Sequence, residues 1–228
     1  MDNRPKLLRV IAQLLILMLI LAALLFIPAG GLDWPQAWIL IIFLMIYFLL
    51  YIQIGIFNDP DQTWERSRKA ENVKDWDRLI MGIYSVLLPT VFILAGLDVG
   101  RFHWSTVPLV WQIMAWAGLA LAGGIILWTV RTNTFLSRYA RIQDDRGQQV
   151  IASGPYRIIR HPMYLGILIL FLCLGPALAS WFTLIPGLLI DLLFLIRTSK
   201  EDKMLKNELE GYLLYTQEVR FRLIPWIW

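Results

Sequence analysis

Residues Gly154–Gly166, which read Gly-Pro-Tyr-Arg-Ile-Ile-Arg-His-Pro-Met-Tyr-Leu-Gly, hold the side chains best placed for chemistry. Here a polar, arginine-bearing loop runs into a long apolar segment, and Arg160, His161 and Pro162 stand at the junction. Proline is tolerated in the first turn of a helix, so Pro162 predicts that a helix begins there. The unpaired N–H groups of that turn and the guanidinium of Arg160 then predict an anion-binding site. A positively charged anchor without chemistry is the alternative that these residues leave open.

A second candidate group follows the same apolar segment. Arg197 and Glu201 are four residues apart, so a helix would place them on one face, where they pair or hold a substrate together. An ordinary solvated ion pair is the alternative. Asp191 lies within the apolar segment itself, and a carboxylate inside a membrane indicates a function unless it faces a water-filled cleft or pairs with an arginine.

The composition indicates an integral membrane protein. Of the 228 residues, 58% are hydrophobic, and the mean hydropathy of +0.60 is too high for a soluble domain of this size. The single cysteine, Cys173, excludes an intrachain disulfide and is interpreted as a packing residue. Two histidines and one cysteine are too few ligands for a zinc or haem site, so no metal is expected.

The hydropathy pattern predicts an all-α, polytopic membrane protein. Four apolar stretches predict transmembrane helices, at residues 7–28, 36–57, 79–97 and 107–130. The next apolar stretch, 163–196, is too long for one span of about 20 residues, so it predicts a transmembrane helical hairpin. A charged, amphipathic helix on the cytoplasmic side follows it from Arg197. The chain thus divides into four transmembrane helices, residues 1–130, and a catalytic region, residues 131–228.

The placement of the charges predicts the topology. All but one of the 21 Lys and Arg residues lie before or at the start of the first span, in the polar loops 58–78 and 131–162, or in the C-terminal tail, and Arg101 is the exception. By the positive-inside rule, both termini and both polar loops are cytoplasmic. Because the basic residues are spread over four segments beside the membrane, they favour contact with anionic lipid and exclude a nucleic-acid partner.

The pattern resembles the isoprenylcysteine carboxyl methyltransferase family, most closely its bacterial members, and is related more distantly to phospholipid N-methyltransferases. The resemblance covers about residues 133–228 and includes the long apolar hairpin. The residues that carry it are Gly154-Pro155-Tyr156, Arg160-His161-Pro162-Met163-Tyr164, Gly166, Arg197, the acidic pair Glu201-Asp202, Tyr212, Tyr215 and Arg222-Leu223-Ile224-Pro225.

That resemblance implies that S-adenosylmethionine binds between the hairpin and the C-terminal helix, entering from the cytosol, while a lipophilic substrate arrives from the bilayer. It implies catalytic roles for Arg197 and Glu201, with Arg197 holding an acceptor carboxylate bidentately and Glu201 fixing the guanidinium. It also implies the bacterial inner membrane as the location. The residues that it places around the cofactor are Val150, Gly154, Tyr156, Arg160, His161, Tyr164, Glu201 and Asp202.

Three other functions stay open at this point. A phospholipid amine N-methyltransferase would use Glu201 to stabilise or deprotonate an amine acceptor. A membrane reductase of the sterol-reductase type would bind NADPH in a larger groove with more basic residues. A non-enzymatic membrane scaffold would use its arginines only as anchors. The sequence determines neither the methyl acceptor nor the oligomeric state.

Overall fold

The structure is a computed structural model and describes residues 4–58 and 73–228. Within those two ranges the secondary structure is entirely helical, which confirms the predicted all-α class. The helices are α1 (Arg4–Ala29), α2 (Pro35–Asn58), α3 (Asp75–Gly96), α4 (Leu109–Thr132), α5 (Pro162–Ala177), α6 (Leu184–Glu208) and α7 (Tyr212–Glu218). A π-helical turn, Leu97–Phe102, extends α3. Short 3-10 turns cover Asp144–Arg146 and Gly154–Arg157 in the loop before α5.

Four of the described helices are long and apolar enough to cross a membrane, as an integral membrane protein requires. These segments are Val10–Ala29, Pro35–Ile54, Asp75–Phe102 and Leu109–Thr132. The third begins before the predicted residue 79, because Asp75 and Asp77 sit in the first helical turn, where acidic side chains stabilise the positive end of the helix dipole. The basic residues Arg66, Arg68 and Lys69 of the predicted cytoplasmic loop lie outside the described residues.

Helices α5 and α6 form an antiparallel pair joined by residues 178–183. Their close approach depends on glycine, since a Cβ added at Gly187 would lie 3.0 Å from the carbonyl oxygen of Phe171. The 16 residues of α5 give a rise of about 24 Å, which is less than the roughly 30 Å of a bilayer core. Helix α6 has 25 residues and extends about 37 Å, well past the end of its partner.

The prediction of a separate amphipathic helix from Arg197 is wrong. Helix α6 continues without a break through that residue to Glu208. No glycine or proline lies between Arg197 and Glu208, so nothing in the backbone interrupts the helix. The polar half of α6 therefore continues the apolar half as one helix, and the short α7 after Gly211 is separate from it.

Buried carboxylates mark the two ends of the bundle. At one end Asp98 accepts hydrogen bonds from the N–H of Ser105 at 2.8 Å and from the hydroxyl of Ser180. The N–H of Trp181 in turn donates to the hydroxyl of Ser105 at 3.1 Å. These bonds join the hairpin turn to the α3–α4 connection. The opposite end, where α3 starts, carries Asp77 and the long polar loop before α5.

Candidate active site

A cavity of about 450 Å³ lies at the end of the bundle that carries the long polar loop. Its walls come from α3, α5 and α6, from the loop between α4 and α5, and from the residues around α7. The volume falls within the roughly 300–1,000 Å³ of small-molecule sites. Seven of the predicted site residues line it, namely Val150, Tyr156, Arg160, His161, Tyr164, Arg197 and Glu201.

Gly154 was also predicted to contact the cofactor, but it does not line the cavity. It has a φ of +57° and packs on the end of α4, where an added Cβ would lie 2.6 Å from Oγ1 of Thr132. Glycine is required because the positive φ and the contact both disfavour a side chain. Gly154 therefore turns the chain before Tyr156, which lines the cavity, and its own contact with the cofactor stays a prediction.

The start of α5 is where the sequence predicts it. Pro162 is the first residue of the helix, where its missing N–H leaves no hydrogen bond unmade. Immediately before it, the N–H groups of Arg160 and His161 donate to the carbonyls of Phe221 and Arg222 at 3.0 and 2.9 Å. The C-terminal segment is thereby held against the start of α5.

Asp202 is the centre of a buried ion-pair network behind the cavity wall. Its side chain is 1% exposed. The groups around the carboxylate are Arg160 Nε at 2.8 Å, Lys206 Nζ and Arg222 Nε at 3.1 Å, the hydroxyl of Tyr212 at 3.2 Å and His161 Nε2 at 3.5 Å. Burial alone would raise the pKa of Asp202, but the hydrogen bonds from His161 and Arg160, with their charges, outweigh it and hold the pKa well below its usual range. Asp202 thus anchors the tail to α6 and does not line the cavity, so its predicted contact with the cofactor stays a prediction.

The guanidinium of Arg160 forms its hydrogen bonds with other groups of the protein. Its Nε and Nη2 donate to Asp202 at 2.8 and 3.3 Å, and Nη1 donates to the carbonyls of Val219 and Arg220 at 2.8 and 2.7 Å. Four of the five N–H groups of this side chain are therefore occupied. The anion that Arg160 binds in the structure is the carboxylate of Asp202, so most of its donors hold the tail against α6.

The partner of Arg197 is Asp77, and the predicted pairing with Glu201 is not formed. Nε of Arg197 lies 2.8 Å from Oδ1 of Asp77, and Nη2 donates to Oδ2 of Asp77 at 3.2 Å and to the carbonyl of Arg138 at 2.9 Å. Nη1 donates to Sδ of Met81 at 3.2 Å. The Nε–Oδ1 contact is an ion pair without hydrogen-bond geometry, and one Nη1 N–H is left over from these contacts. That N–H offers an acceptor carboxylate a single hydrogen bond, where the resemblance predicts a bidentate grip.

Tyr164 and Glu201 meet on the cavity wall, where the hydroxyl of Tyr164 donates a hydrogen bond to the carboxylate of Glu201. The ring of Tyr164 stacks on His161, with centroids 5.7 Å apart and planes 8° apart, and the guanidinium of Arg197 lies 5.4 Å from its centre. Glu201 is half-buried, and among the described residues no cation forms an ion pair with it. The cavity wall therefore presents a fixed negative charge.

The tyrosines of the C-terminal segment belong to a second apolar cluster beside the cavity. Tyr156, Tyr212 and Tyr215 pack together with Leu209 and Val219. The hydroxyl of Tyr215 donates to the carbonyl of Tyr156 at 2.6 Å. Burial raises the pKa of Tyr212 and of Tyr215 above the usual range, so both hydroxyls stay protonated at neutral pH. These residues are structural donors in the wall of the site.

A second cavity, of about 230 Å³, lies deeper in the bundle between α1, α2, α3, α4 and α5. Its lining is aliphatic and aromatic, including Leu88, Leu119 and Phe171, with the backbone of Gly123. Tyr84 lines both cavities. The site therefore has a polar compartment and an apolar compartment that adjoin at one side chain.

Asp77 and Tyr84, both on α3, were not identified from the sequence. Asp77 falls in the charged segment before the third span, which reads as a solvated loop, yet it is fully buried. A carboxylate within one turn of a membrane span was the available signal. Tyr84 is one of several aromatic residues in the apolar spans, and no pattern in the sequence distinguishes it from them.

Asp191 lines neither cavity. It lies in α6 on the hairpin side of the site, and its buried Oδ1 has no hydrogen-bond partner among the described residues. Within residues 4–58 and 73–228, no three His, Cys, Asp or Glu side chains are grouped so that they could hold a metal ion.

Comparison with known families gives a match that covers this region. Residues 109–207 match the isoprenylcysteine carboxyl methyltransferase (ICMT) family, which confirms the resemblance seen in the sequence and indicates a membrane methyltransferase. The match includes α4, the polar loop, α5 and nearly all of α6, whereas α1 to α3 and the segment with Tyr212 and Tyr215 lie outside it. A search of the curated proteins finds no sequence that matches this chain.

Proposed function

We propose, starting from the family match of residues 109–207, that the chain is an S-adenosylmethionine-dependent methyltransferase for a lipophilic acceptor in the membrane. One observation carries the proposal. Tyr164 and Glu201 are joined on the wall of a polar cavity, and that cavity adjoins an apolar one inside the bundle at Tyr84. A polar cofactor and an apolar substrate each have a compartment of matching chemistry, and the reacting groups would meet between them.

The residues present fit a sulfonium cofactor. Glu201 offers a carboxylate without an ion-pair partner among the described residues, and the rings of Tyr84, Tyr164 and Phe194 offer aromatic faces that attract a cation. The polar loop adds amide side chains such as Gln148 to the same cavity. S-adenosylmethionine supplies a methyl group on positively charged sulfur, and its transfer depends on alignment more than on acid or base strength.

We assign a carboxylate to the acceptor. Arg138 lines the cavity, and its guanidinium has no ion pair in the described part of the chain. The remaining Nη1 N–H of Arg197 provides a second, nearby donor. A carboxylate already carries the attacking electron pair, so the protein needs to bind and orient it and to exclude water, without removing a proton. Glu201, held by the hydroxyl of Tyr164, places negative charge on the cavity wall.

The apolar cavity takes the hydrocarbon part of the acceptor. Each CH₂ group moved from water into such a space contributes about 0.8 kcal/mol. Because this cavity lies among membrane-spanning helices, a lipid chain can reach it without leaving an apolar environment. The polar cavity lies at the end of the bundle that carries the basic loop before α5, so we place the active site at the cytoplasmic face. In a bacterium this is the cytoplasmic face of the inner membrane.

Detergent-purified protein tests the proposal in two steps. Calorimetry with S-adenosylmethionine, S-adenosylhomocysteine and NADPH identifies the cofactor. Incubation with native lipid extract and methyl-labelled S-adenosylmethionine, followed by mass spectrometry, then identifies the product. A carboxylate acceptor gives a methyl ester, which releases labelled methanol in base, whereas a methylated amine does not.

The outcomes separate the possible functions. Binding of the first two ligands together with a base-labile product supports the proposal. A base-stable labelled lipid would replace the carboxylate by an amine acceptor. Binding of NADPH alone would indicate a reductase, and binding of none of the three would remove the enzymatic proposal.

A further inference from the structure

We propose that Asp77, in the first turn of α3, is a positioning residue for methyl transfer: it orients Arg197 so that a single Nη1 N–H is left for the acceptor. This inference rests on the proposed function, and it extends the active site to a helix outside the family match. Asp77 and Arg197 are separated by 120 residues in the chain, so only the folded structure brings them together.

The contacts of Asp77 show how it orients its partner. Both carboxylate oxygens contact Arg197. Nε lies 2.8 Å from Oδ1, and Nη2 donates a hydrogen bond to Oδ2 at 3.2 Å. The same Oδ2 accepts the N–H of Ala140 at 2.7 Å. One side chain thus connects α3, α6 and the polar loop. The side chain of Asp77 is 0% exposed and that of Arg197 is 5% exposed, so water does not compete for these bonds.

The remaining contacts leave the guanidinium no freedom to turn. Its plane is bounded by the carbonyl of Arg138 at 2.9 Å, by Sδ of Met81 at 3.2 Å and by the ring of Tyr164 at 5.4 Å. Without the negative charge of Asp77, the buried cation would lose its counterion, and Glu201 is the next carboxylate near it. Arg197 would then turn toward Glu201 and neutralise the charge that the cavity wall presents. Asp77 therefore keeps two opposite charges apart within one site.

The Asp77→Asn variant tests this role because it keeps the shape and removes the charge. With the labelled-cofactor assay, we expect kcat/KM for the acceptor to fall roughly 10²-fold, the scale on which small misplacements act. The dissociation constant of S-adenosylhomocysteine should stay within twofold. Asp77→Glu, which restores the charge, should recover part of the rate, and it serves as the second variant if Asp77→Asn does not fold.

Two matched controls distinguish an effect on the orientation of Arg197 from a general loss of protein stability. Asp75→Asn removes an exposed carboxylate from the same helical turn, and Asp98→Asn removes a buried carboxylate at the opposite end of the bundle. Neither should change kcat/KM per folded molecule by more than about twofold, a change of roughly 0.4 kcal/mol. A loss with Asp98→Asn as large as with Asp77→Asn would reduce Asp77 to a stability role and overturn the inference.

A double-mutant cycle shows whether Asp77 acts through Arg197. If it does, Asp77→Asn adds little further loss in an Arg197→Gln background, because the oriented group is already gone. Losses that simply multiply would contradict the inference.

A readout without turnover keeps the inference separate from the proposed function. In protein labelled with ¹⁵N-arginine, Nη2 of Arg197, which donates to Asp77 and to the carbonyl of Arg138, should give a shifted, slowly exchanging signal, assigned by its absence in Arg197→Lys. Asp77→Asn should abolish that signal, and Asp75→Asn should not. A wild-type protein that transfers no methyl group but shows this behaviour would refute the function and leave the Asp77–Arg197 pairing intact. An unchanged signal in Asp77→Asn would refute the pairing.

Discussion

The hydroxyl of Tyr164 donates a hydrogen bond to the carboxylate of Glu201, although their positions are 37 residues apart in the chain. Tyr164 is in the first turn of α5, and Glu201 is in the polar half of α6, beyond the hairpin turn. This contact shows that the two segments with candidate functional residues lie side by side in one wall of one cavity. It also fixes the orientation of the carboxylate on which the proposed chemistry depends.

Glu201→Gln should lower kcat for methyl transfer by about 10²-fold, since a preorganised charge next to the reacting centre contributes on this scale. Tyr164→Phe removes the hydrogen bond that holds this charge and should cost roughly fivefold to tenfold, about 1 kcal/mol. Both rates are measured with labelled cofactor at saturating acceptor. Glu208→Gln, which changes an exposed glutamate on the same helix, is the matched control and should retain the wild-type rate. Full activity of Glu201→Gln would remove Glu201 from the mechanism.

Gly123→Leu should fill part of the apolar cavity, because Gly123 lines it and a Cβ there would lie 3.3 Å from the ring of Tyr47. We expect KM to rise about 10-fold or more for long-chain acceptors and to change little for short-chain ones, since loss of two CH₂ contacts is worth roughly 1.6 kcal/mol. Gly124→Leu is the control, because the neighbouring glycine has open space around its Cβ position. Equal effects of both variants on every acceptor would argue against a chain-binding role for this cavity.

Asp202→Asn should destabilise the protein by roughly 3–5 kcal/mol at neutral pH, because it leaves the cations around it without their buried partner. The pKa of Asp202 is lower in the folded protein than the usual value of about 3.9. Its contribution to stability is therefore complete above that value and is lost as the pH falls below about 4. Thermal unfolding followed by tryptophan fluorescence should show a gap in melting temperature between wild type and Asp202→Asn. That gap should narrow from pH 6 to about pH 3. A gap that stays constant would contradict the assigned charge.

Ser180→Ala should lower the free energy of unfolding by about 1–3 kcal/mol, since it leaves Asp98 and Thr183 with one partner fewer in a buried network. Activity per folded molecule should not change, because this network lies at the opposite end of the bundle from the cavity. Ser199→Ala, at an exposed position of α6, should affect neither quantity. A selective loss of activity in Ser180→Ala would show that the two ends of the bundle are coupled.

The predicted sidedness can be measured with engineered cysteines in a Cys173→Ala background. Lys203→Cys, near the polar end of α6, should react with a membrane-impermeant maleimide only from the cytoplasmic side, and Phe102→Cys only from the outer side. Labelling of both from one side would mean that the chain does not cross the membrane between them as proposed.

The all-helical class, the four apolar spans and the helix start at Pro162 followed from the sequence alone. Each is a local property, because a run of apolar residues long enough for a bilayer and a proline in a first helical turn need no tertiary contact to be recognised. The segments around His161 and Glu201 were also identified in this way, since the apolar stretch between them is too long for a single span.

Which side chains face the cavity was decided only by tertiary structure. Arg160 lines the cavity and Asp202 follows the cavity residue Glu201 in the sequence, yet the two side chains bind each other and the C-terminal tail. Arg197 pairs with Asp77 because α3 crosses α6 at that level, although helical spacing favours Glu201 equally well. Spacing along one helix specifies which residues share a face, but the charge that a buried arginine meets depends on which other helix packs there.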